Sequence, residues 1–260
     1  MWLRYAFLLF FIYATTCVAA DQAKKPVLVI AHRGAHAQSP ENSIPAIRKA
    51  AELGCDYVEL DVRTTRDHQL VLMHDRSVER TTTGTGRIVD MTLDEIKKLR
   101  FGEKWPDETV PTFEEAVAAC KGKIKIYIDH KEADPADVVA VVKKHDMLDD
   151  VVVYGSVETL REYKKLNPKV WIMPPHPGSA AEIKQLVADL KPETLDGSIV
   201  EWNAEHAKAA HAAGAQIWVD YPASFVTELG VRKAIEFDID AIQTDEPQRL
   251  IELLLSHKLR

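Results

Sequence analysis

The chain has 260 residues, 46% of them apolar and 28% charged, with 11 Gly and 13 Pro, a usage that excludes a disordered, collagen-like or coiled-coil protein. Its 33 basic and 40 acidic residues leave a net charge of −7 with no run of five like charges, which excludes nucleic acid as a partner because phosphate neutralisation supplies most of that affinity. Three Cys are too few for a disulfide scaffold at this length.

Met1 to Ala20 reads as a secretory signal peptide. Arg4 precedes an apolar run from Tyr5 to Ala14, and Val18-Ala19-Ala20 supplies small residues for cleavage before Asp21. The run is shorter than the roughly 20 residues a membrane span needs. Ala14-Thr15-Thr16-Cys17 is a poor lipobox, which argues against a lipid anchor on Cys17. The expected product is exported, periplasmic or extracellular, as a single domain over residues 21–260; loss of Arg4 takes its charge from −7 to −8. Cys55 and Cys120 each close a helix ahead of a strand and read as buried free thiols, with a bridge between them in an oxidising compartment as the alternative.

Strand-like runs follow at Val27–Ala31, Tyr57–Val62, Leu70–Met73, Ile124–Ile128, Val151–Tyr154, Val170–Met173, Ser198–Val200, Ile217–Val219 and Ala241–Gln243. Amphipathic helices are predicted between them at Ile44–Leu53, Pro135–Lys144, Val157–Leu166, Ala180–Leu190, Ala204–Ala213 and Val231–Phe237. Thr92 with Glu95 and Thr112 with Glu115 have capping-box spacing. A parallel crossover needs about a dozen residues, so the Leu70–Met73 run must return antiparallel on its predecessor. Centring that turn on Asp67-His68 sets His74 opposite Asp61. The remaining eight runs predict an α/β fold, a (β/α)₈ TIM barrel with a β-hairpin and small insertion after the second strand. An open doubly wound sheet is the alternative.

Barrel chemistry gathers where strands end. Glu59 and Asp61, two apart on one strand, share a face, and Asp129 joins them from the next strand. Three carboxylates without thiolates suit a hard divalent cation, Ca²⁺ or Mg²⁺. His32 and His74 supply two groups that can split into acid and base near neutral pH. Arg33 and Lys131 fit phosphate oxygens, and Gly34 allows close backbone approach. Metal, acid, base and two cations around one point suit phosphoryl transfer.

His32-Arg33-Gly34, Pro40-Glu41-Asn42-Ser43, Glu59-Leu60-Asp61-Val62 and Leu72-Met73-His74-Asp75 resemble the motifs of glycerophosphodiester phosphodiesterases. Thr83-Gly84-Thr85-Gly86, Pro111-Thr112-Phe113-Glu114-Glu115 and Thr244-Asp245-Glu246-Pro247 are also similar, so the resemblance covers the chain from about Val27 onward. It implies a (β/α)₈ barrel with an insertion over about Asp75 to Val110, and metal-dependent hydrolysis of a small-molecule glycerophosphodiester to glycerol 3-phosphate and an alcohol. It implies metal ligands at Glu59 and Asp61 with Glu41 nearby, catalytic histidines at His32 and His74, and phosphate contacts from Arg33 and Lys131. Where the family has Glu-x-Lys this chain has Asp129-His130-Lys131, a shorter third ligand. Ser43 replaces a common Thr, and both can cap a helix. Where the family commonly ends a strand Trp-Thr-Val-Asn, this chain has Trp218-Val219-Asp220, which adds an acid to the mouth. No protein partner can be inferred.

Two rivals carry distinct expectations. A phospholipase-D-like enzyme acting on lysophospholipid or sphingolipid head groups needs an apolar patch at the mouth, for which Phe101, Trp105 and Phe225 are candidates. A non-catalytic phosphate binder has no need of the His32 and His74 pair.

Overall fold

The computed structural model describes residues 25–260, and the expected signal peptide, Met1–Ala20, lies outside the described residues. Nine strands form one sheet: β1 (Leu28–Ala31), β2 (Tyr57–Thr64), β3 (Leu70–Leu72), β4 (Lys125–Glu132), β5 (Val151–Tyr154), β6 (Trp171–Met173), β7 (Thr194–Leu195), β8 (Gln216–Tyr221) and β9 (Ala241–Thr244). Eight run parallel in the order β6-β5-β4-β2-β1-β9-β8-β7, with β3 antiparallel on β2 outside that path. Between the two ends of this order, the Asp196 N–H donates to the Pro174 carbonyl at 3.0 Å. The result is a nearly closed barrel of eight parallel strands, the predicted (β/α)₈ fold.

The helices are α1 (Ile44–Leu53), α2 (Leu93–Ile96), α3 (Phe113–Cys120), α4 (Pro135–Lys144), α5 (Val157–Leu166), α6 (Ala180–Leu190), α7 (Ala204–Ala213), α8 (Glu228–Glu236) and α9 (Pro247–Ser256). Five of the six predicted helices have the predicted bounds. The exception is α8, which starts three residues early because Thr227 caps it by accepting from the Gly230 N–H. Both capping boxes form, at Thr92 with Glu95 and at Thr112 with Glu115. Among the described residues, no helix is long and apolar enough to cross a membrane.

Strand alternation divides the apolar residues into two cores. Val58, Leu60 and Val62 point outward onto the helices and bury against Ile47, Phe113 and Val117. Ile30, Tyr57, Tyr127, Val152, Met173 and Trp218 fill the barrel axis, where the Trp218 ring meets Tyr57 edge-on at 4.8 Å. A third cluster, Val71, Met73, Val78, Ile88, Ile96, Phe101 and Val110, holds the insertion against the hairpin. Cys55 and Cys120 are buried free thiols, and burial pushes both up to about 12.

Two placements differ from expectation. The hairpin pairs Val62 with Leu72 and Thr64 with Leu70, and Met73 donates its N–H to the Asp61 carbonyl at 3.0 Å. Met73, not His74, therefore stands opposite Asp61. The loop holds three residues, because Thr65 Oγ1 accepts from the Gln69 N–H at 2.9 Å and donates to Asp67 at 2.6 Å, while His68 adopts a left-handed φ of 58°. The sixth parallel strand, β7, is Thr194–Leu195 rather than Ser198–Val200. Ser198 makes only a single bridge to Asp220, and Val200 is 66% exposed.

Candidate active site

The C-terminal ends of the strands meet at one mouth, with the interior residues of β2 and β4 at its centre. Asp61 and Asp129 are register partners across β2 and β4, and Glu59 lies one inward position below Asp61. Glu59 and Asp61 are buried, and oxygens of Glu59, Asp61 and Asp129 lie within 4.8 Å of one another. Burial pushes Glu59 well above the ordinary carboxylate range, and the charges of Asp61 and Asp129 add to the effect. Asp129 is also raised by burial, against the attraction of Lys131.

Local backbone holds this trio. Arg33 donates its N–H to Glu59 Oε2 at 2.7 Å from a left-handed φ of 50°. Gly34 follows at φ 83°, where a side-chain carbon would stand 2.7 Å from the Ala46 Cβ. Asn42 donates through Nδ2 to Asp61 Oδ2 at 2.7 Å and accepts the Asp61 N–H at 3.1 Å. Glu59 Oε1 and Asp61 Oδ1 are buried with no hydrogen-bond partner. Unpartnered buried carboxylate oxygens are costly unless a cation meets them. The three-oxygen donor set fits a hard divalent ion.

Cations flank Asp61 on two sides. Arg33 Nε lies 3.4 Å from Asp61 Oδ2, and Lys131 Nζ lies 3.3 Å from Asp61 Oδ1 and 2.6 Å from Asp129 Oδ2. Glu41 stands one step out. It accepts from Arg33 at 3.1 Å and from two nitrogens of Arg80 at 2.7 Å each. Burial pushes Glu41 upward, but the two guanidiniums outweigh it and hold the carboxyl below its usual range.

Each predicted histidine has its own carboxylate. His32 Nδ1 lies 2.7 Å from Asp245 Oδ1, and His74 Nδ1 lies 2.7 Å from Asp75 Oδ1. Each contact places the Nδ1 proton on the carboxylate side and leaves Nε2 as the exchangeable nitrogen. Arg80, hydrogen-bonded to Asp75, holds that carboxyl at about 2, against some desolvation and with help from His74. His32 directly follows β1 and His74 lies two residues past β3, so the two rings are supplied by different elements.

A second acidic pair faces the trio. Burial lifts Asp220 to about 6, with Asp129 and Glu201 adding to the rise and His32 opposing it. Gln243 donates to Asp220 Oδ1 at 2.8 Å. Asp196, at the end of β7, is pushed well up by burial and by Asp220. Trp218 lies below Asp220 on the same strand face, buried in the axial core, with its Nε1 donating to Gln216 at 3.0 Å.

The sequence-predicted residues thus divide by position. Glu59, Asp61, Asp129, Arg33 and Lys131 are brought into mutual contact, and His32 and His74 stand beside them. Glu41 acts through the two arginines, Asp220 lies on the opposite wall, and Trp218 forms the floor. Sequence reasoning assigned no role to Asn42 and Asp75, although both lie inside quoted motifs. Arg80 and Asp196 went unnoticed: Arg80 sits in an insertion without periodic pattern, and the misplaced strand hid Asp196. His36, whose Nε2 also reaches Asp245 Oδ1 at 3.0 Å, left no sequence signal beyond its closeness to His32. The candidates for a lipid-facing patch do not form one. Phe101 is buried in the insertion core with Trp105 against it, and Phe225 packs on the helix-side core near Tyr221.

Residues 32–249 match the model of the glycerophosphoryl diester phosphodiesterase family. A glycerophosphodiester phosphodiesterase of Caldanaerobacter subterraneus subsp. tengcongensis is 31% identical over 239 residues, which cover 87% of this chain and 97% of that protein. The human glycerophosphodiester phosphodiesterase 1 is 46% identical over 122 residues, covering 43% of this chain and 37% of the human protein. Among solved structures, the glycerophosphodiester phosphodiesterase of Agrobacterium tumefaciens superposes with a TM-score of 0.78 at 28% identity, covering 87% of this chain and 99% of that one. An Oleispira antarctica phosphodiesterase in complex with the product sn-glycerol-3-phosphate superposes with a TM-score of 0.78 at 25% identity, covering 88% and 97%.

Proposed function

The chain belongs to the glycerophosphoryl diester phosphodiesterase family and is a phosphoric diester hydrolase, and from that premise we propose a metal-assisted reaction driven by a histidine pair. A glycerophosphodiester is cleaved to glycerol 3-phosphate and an alcohol. Glu59, Asp61 and Asp129 would hold a divalent cation, Ca²⁺ or Mg²⁺, which neutralises the carboxylates and polarises a phosphoryl oxygen. The single observation that carries this reading is the convergence of three carboxylates within 4.8 Å, where Glu59 Oε1 is buried without a hydrogen bond and Asp61 Oδ1 is met only by Lys131 at 3.3 Å.

Arg33 and Lys131 orient the phosphodiester, since both already reach the oxygens of Asp61 and can turn toward a phosphate in their place. One of His32 and His74 accepts the proton of the attacking hydroxyl at Nε2, either from water directly or from the glycerol moiety, in which case a cyclic phosphodiester forms and water then opens it to glycerol 3-phosphate with the two histidine roles reversed. The other donates its Nε2 proton to the departing alcohol oxygen as the P–O bond breaks. Asp245 and Asp75 keep the Nδ1 proton of each ring in place through both transfers. Each transfer contributes roughly 10²–10⁴ in rate.

The test is release of glycerol 3-phosphate from a panel of glycerophosphodiesters with Ca²⁺, with Mg²⁺ and with excess chelator. Loss of turnover in chelator and in His32→Ala is expected. Full activity in either condition would refute the scheme. We further propose that Met1–Ala20 directs export and is removed, which N-terminal sequencing of protein recovered from outside the cytoplasm checks: a mature chain begins at Asp21.

A further inference from the structure

We propose that His32, His36 and Asp245 form a second metal site, specific for a borderline transition ion such as Zn²⁺, whose occupancy switches the enzyme off. The three side chains offer two ring nitrogens and a carboxylate oxygen within 4.8 Å of one another. Both histidines converge on the same oxygen, Asp245 Oδ1, with His32 Nδ1 at 2.7 Å and His36 Nε2 at 3.0 Å. Ligands of a tetrahedral zinc with bonds of about 2.0 Å stand roughly 3.3 Å apart, so these contacts need open by only about half an ångström. The side chains of His32, His36 and Asp245 are 28%, 27% and 45% exposed, so an ion reaches them from solvent and a fourth position stays open.

The donor chemistry separates this site from the trio. Glu59, Asp61 and Asp129 present only oxygens, from β2 and β4, and suit a hard ion. Two imidazoles and one carboxylate suit Zn²⁺. They come from the end of β1, the short helical turn His36–Gln38, and the residue after β9. Nothing in the proposed hydrolysis uses His36.

Coordination at His32 Nδ1 moves the ring proton to Nε2 and holds it there. A neutral imidazole bound this way has no free lone pair at Nε2 to act as base. It also gives up its remaining proton far less readily than imidazolium does. Either role assigned to His32 is therefore lost while zinc is bound, a consequence that rests on the proposed role of His32. Any proton that a ring carries beyond its neutral form leaves to solvent as zinc binds, and no redox step is involved.

The experiment uses the purified chain with Mg²⁺ held in millimolar excess, titrated with Zn²⁺ by calorimetry and assayed in parallel. Co²⁺ serves as a spectroscopic probe of four-coordinate nitrogen–oxygen ligation. The expected result is one Zn²⁺ per chain, with turnover falling at the same half-saturation. His36→Gln should weaken zinc binding and inhibition together by about 10–100-fold while leaving Mg²⁺-supported turnover within about twofold of the unsubstituted chain. Asp245→Asn should weaken zinc binding similarly, and Glu59→Gln should leave it unchanged; thermal unfolding of each variant verifies that it is folded. Zinc binding that survives His36→Gln, or vanishes in Glu59→Gln, would overturn the site. Zinc binding without inhibition would overturn the switch. Binding is read independently of turnover, so an inactive chain that still holds zinc through His36 supports the site while refuting the catalytic reading.

Discussion

Asn42 grips Asp61 at both ends, donating from Nδ2 to its carboxylate at 2.7 Å and accepting from its backbone N–H at 3.1 Å. The grip aims Asp61 Oδ1 away from Asn42, toward the other two carboxylates and Lys131. Asn42→Ala removes both bonds from a buried pair. Activity at limiting metal is expected to fall about 10–100-fold with weaker divalent-ion binding. Saturating metal should recover much of the loss, and a metal titration of kcat/KM checks it. A loss unaffected by metal concentration would contradict the assignment.

Arg80 joins the two halves of the site, donating twice to Glu41 and twice to Asp75. Arg80→Ala frees Asp75, and with it His74, and leaves Glu41 with Arg33 alone. Its side chain is half exposed, so stability should change by no more than about 1 kcal/mol. Activity is expected to fall about tenfold or more. Lys at this position should not restore it, because one ammonium cannot replace four directed guanidinium bonds. Steady-state kinetics with denaturant unfolding of both variants separates the two effects.

Asp220 makes the metal-free protein less stable as pH rises. Its carboxyl titrates at about 6 in the folded chain and near 3.8 when unfolded. Between those values the folded state holds a proton that the unfolded state has released. Stability from this group is thus complete below about pH 4 and is lost as pH climbs through 6, by on the order of 1–3 kcal/mol. Asp220→Asn should be more stable than the unsubstituted chain at pH 7.5, with that advantage shrinking toward pH 4. Urea unfolding in chelator at both pH values measures it.

Asp75 has the opposite sign. Arg80 holds it at about 2, below its ordinary 3.8, so its contribution is present above pH 4 and disappears as pH falls toward 2. Asp75→Asn should flatten that part of the acid-unfolding curve, which circular dichroism across pH 2–5 follows.

Gly34 tests the backbone under the trio. Gly34→Ala places a methyl 2.7 Å from the Ala46 Cβ at φ 83°. Left-handed strain and overpacking together should cost about 2–4 kcal/mol. That corresponds to a drop in Tm of roughly 5–15 °C for a domain of this size. Calorimetry checks the value, and activity should fall at temperatures where the variant remains folded, because the Arg33 N–H moves off Glu59.

Much of this architecture is local and was therefore legible. Helix bounds follow from capping residues and periodicity within a few turns, as Thr112 with Glu115 and Ser43 with its helix illustrate. Glu59, Leu60 and Asp61 had to alternate, so both carboxylates could be assigned to the axis before any strand was placed. The hairpin register was not legible, because it turned on Thr65 bonding to Gln69 and Asp67, which made the loop three residues long. Nor was β7, two residues whose pairing with β8 comes from barrel closure rather than from an apolar run. The residue types of the site and the faces they occupy are properties of the chain taken a few residues at a time. Which oxygen meets which cation depends on strand alignment around a nearly closed sheet. That alignment joined Asp61 to Asn42, Arg80 to Glu41, and His36 to Asp245, three contacts that span 19, 39 and 209 positions and that no short stretch of sequence encodes.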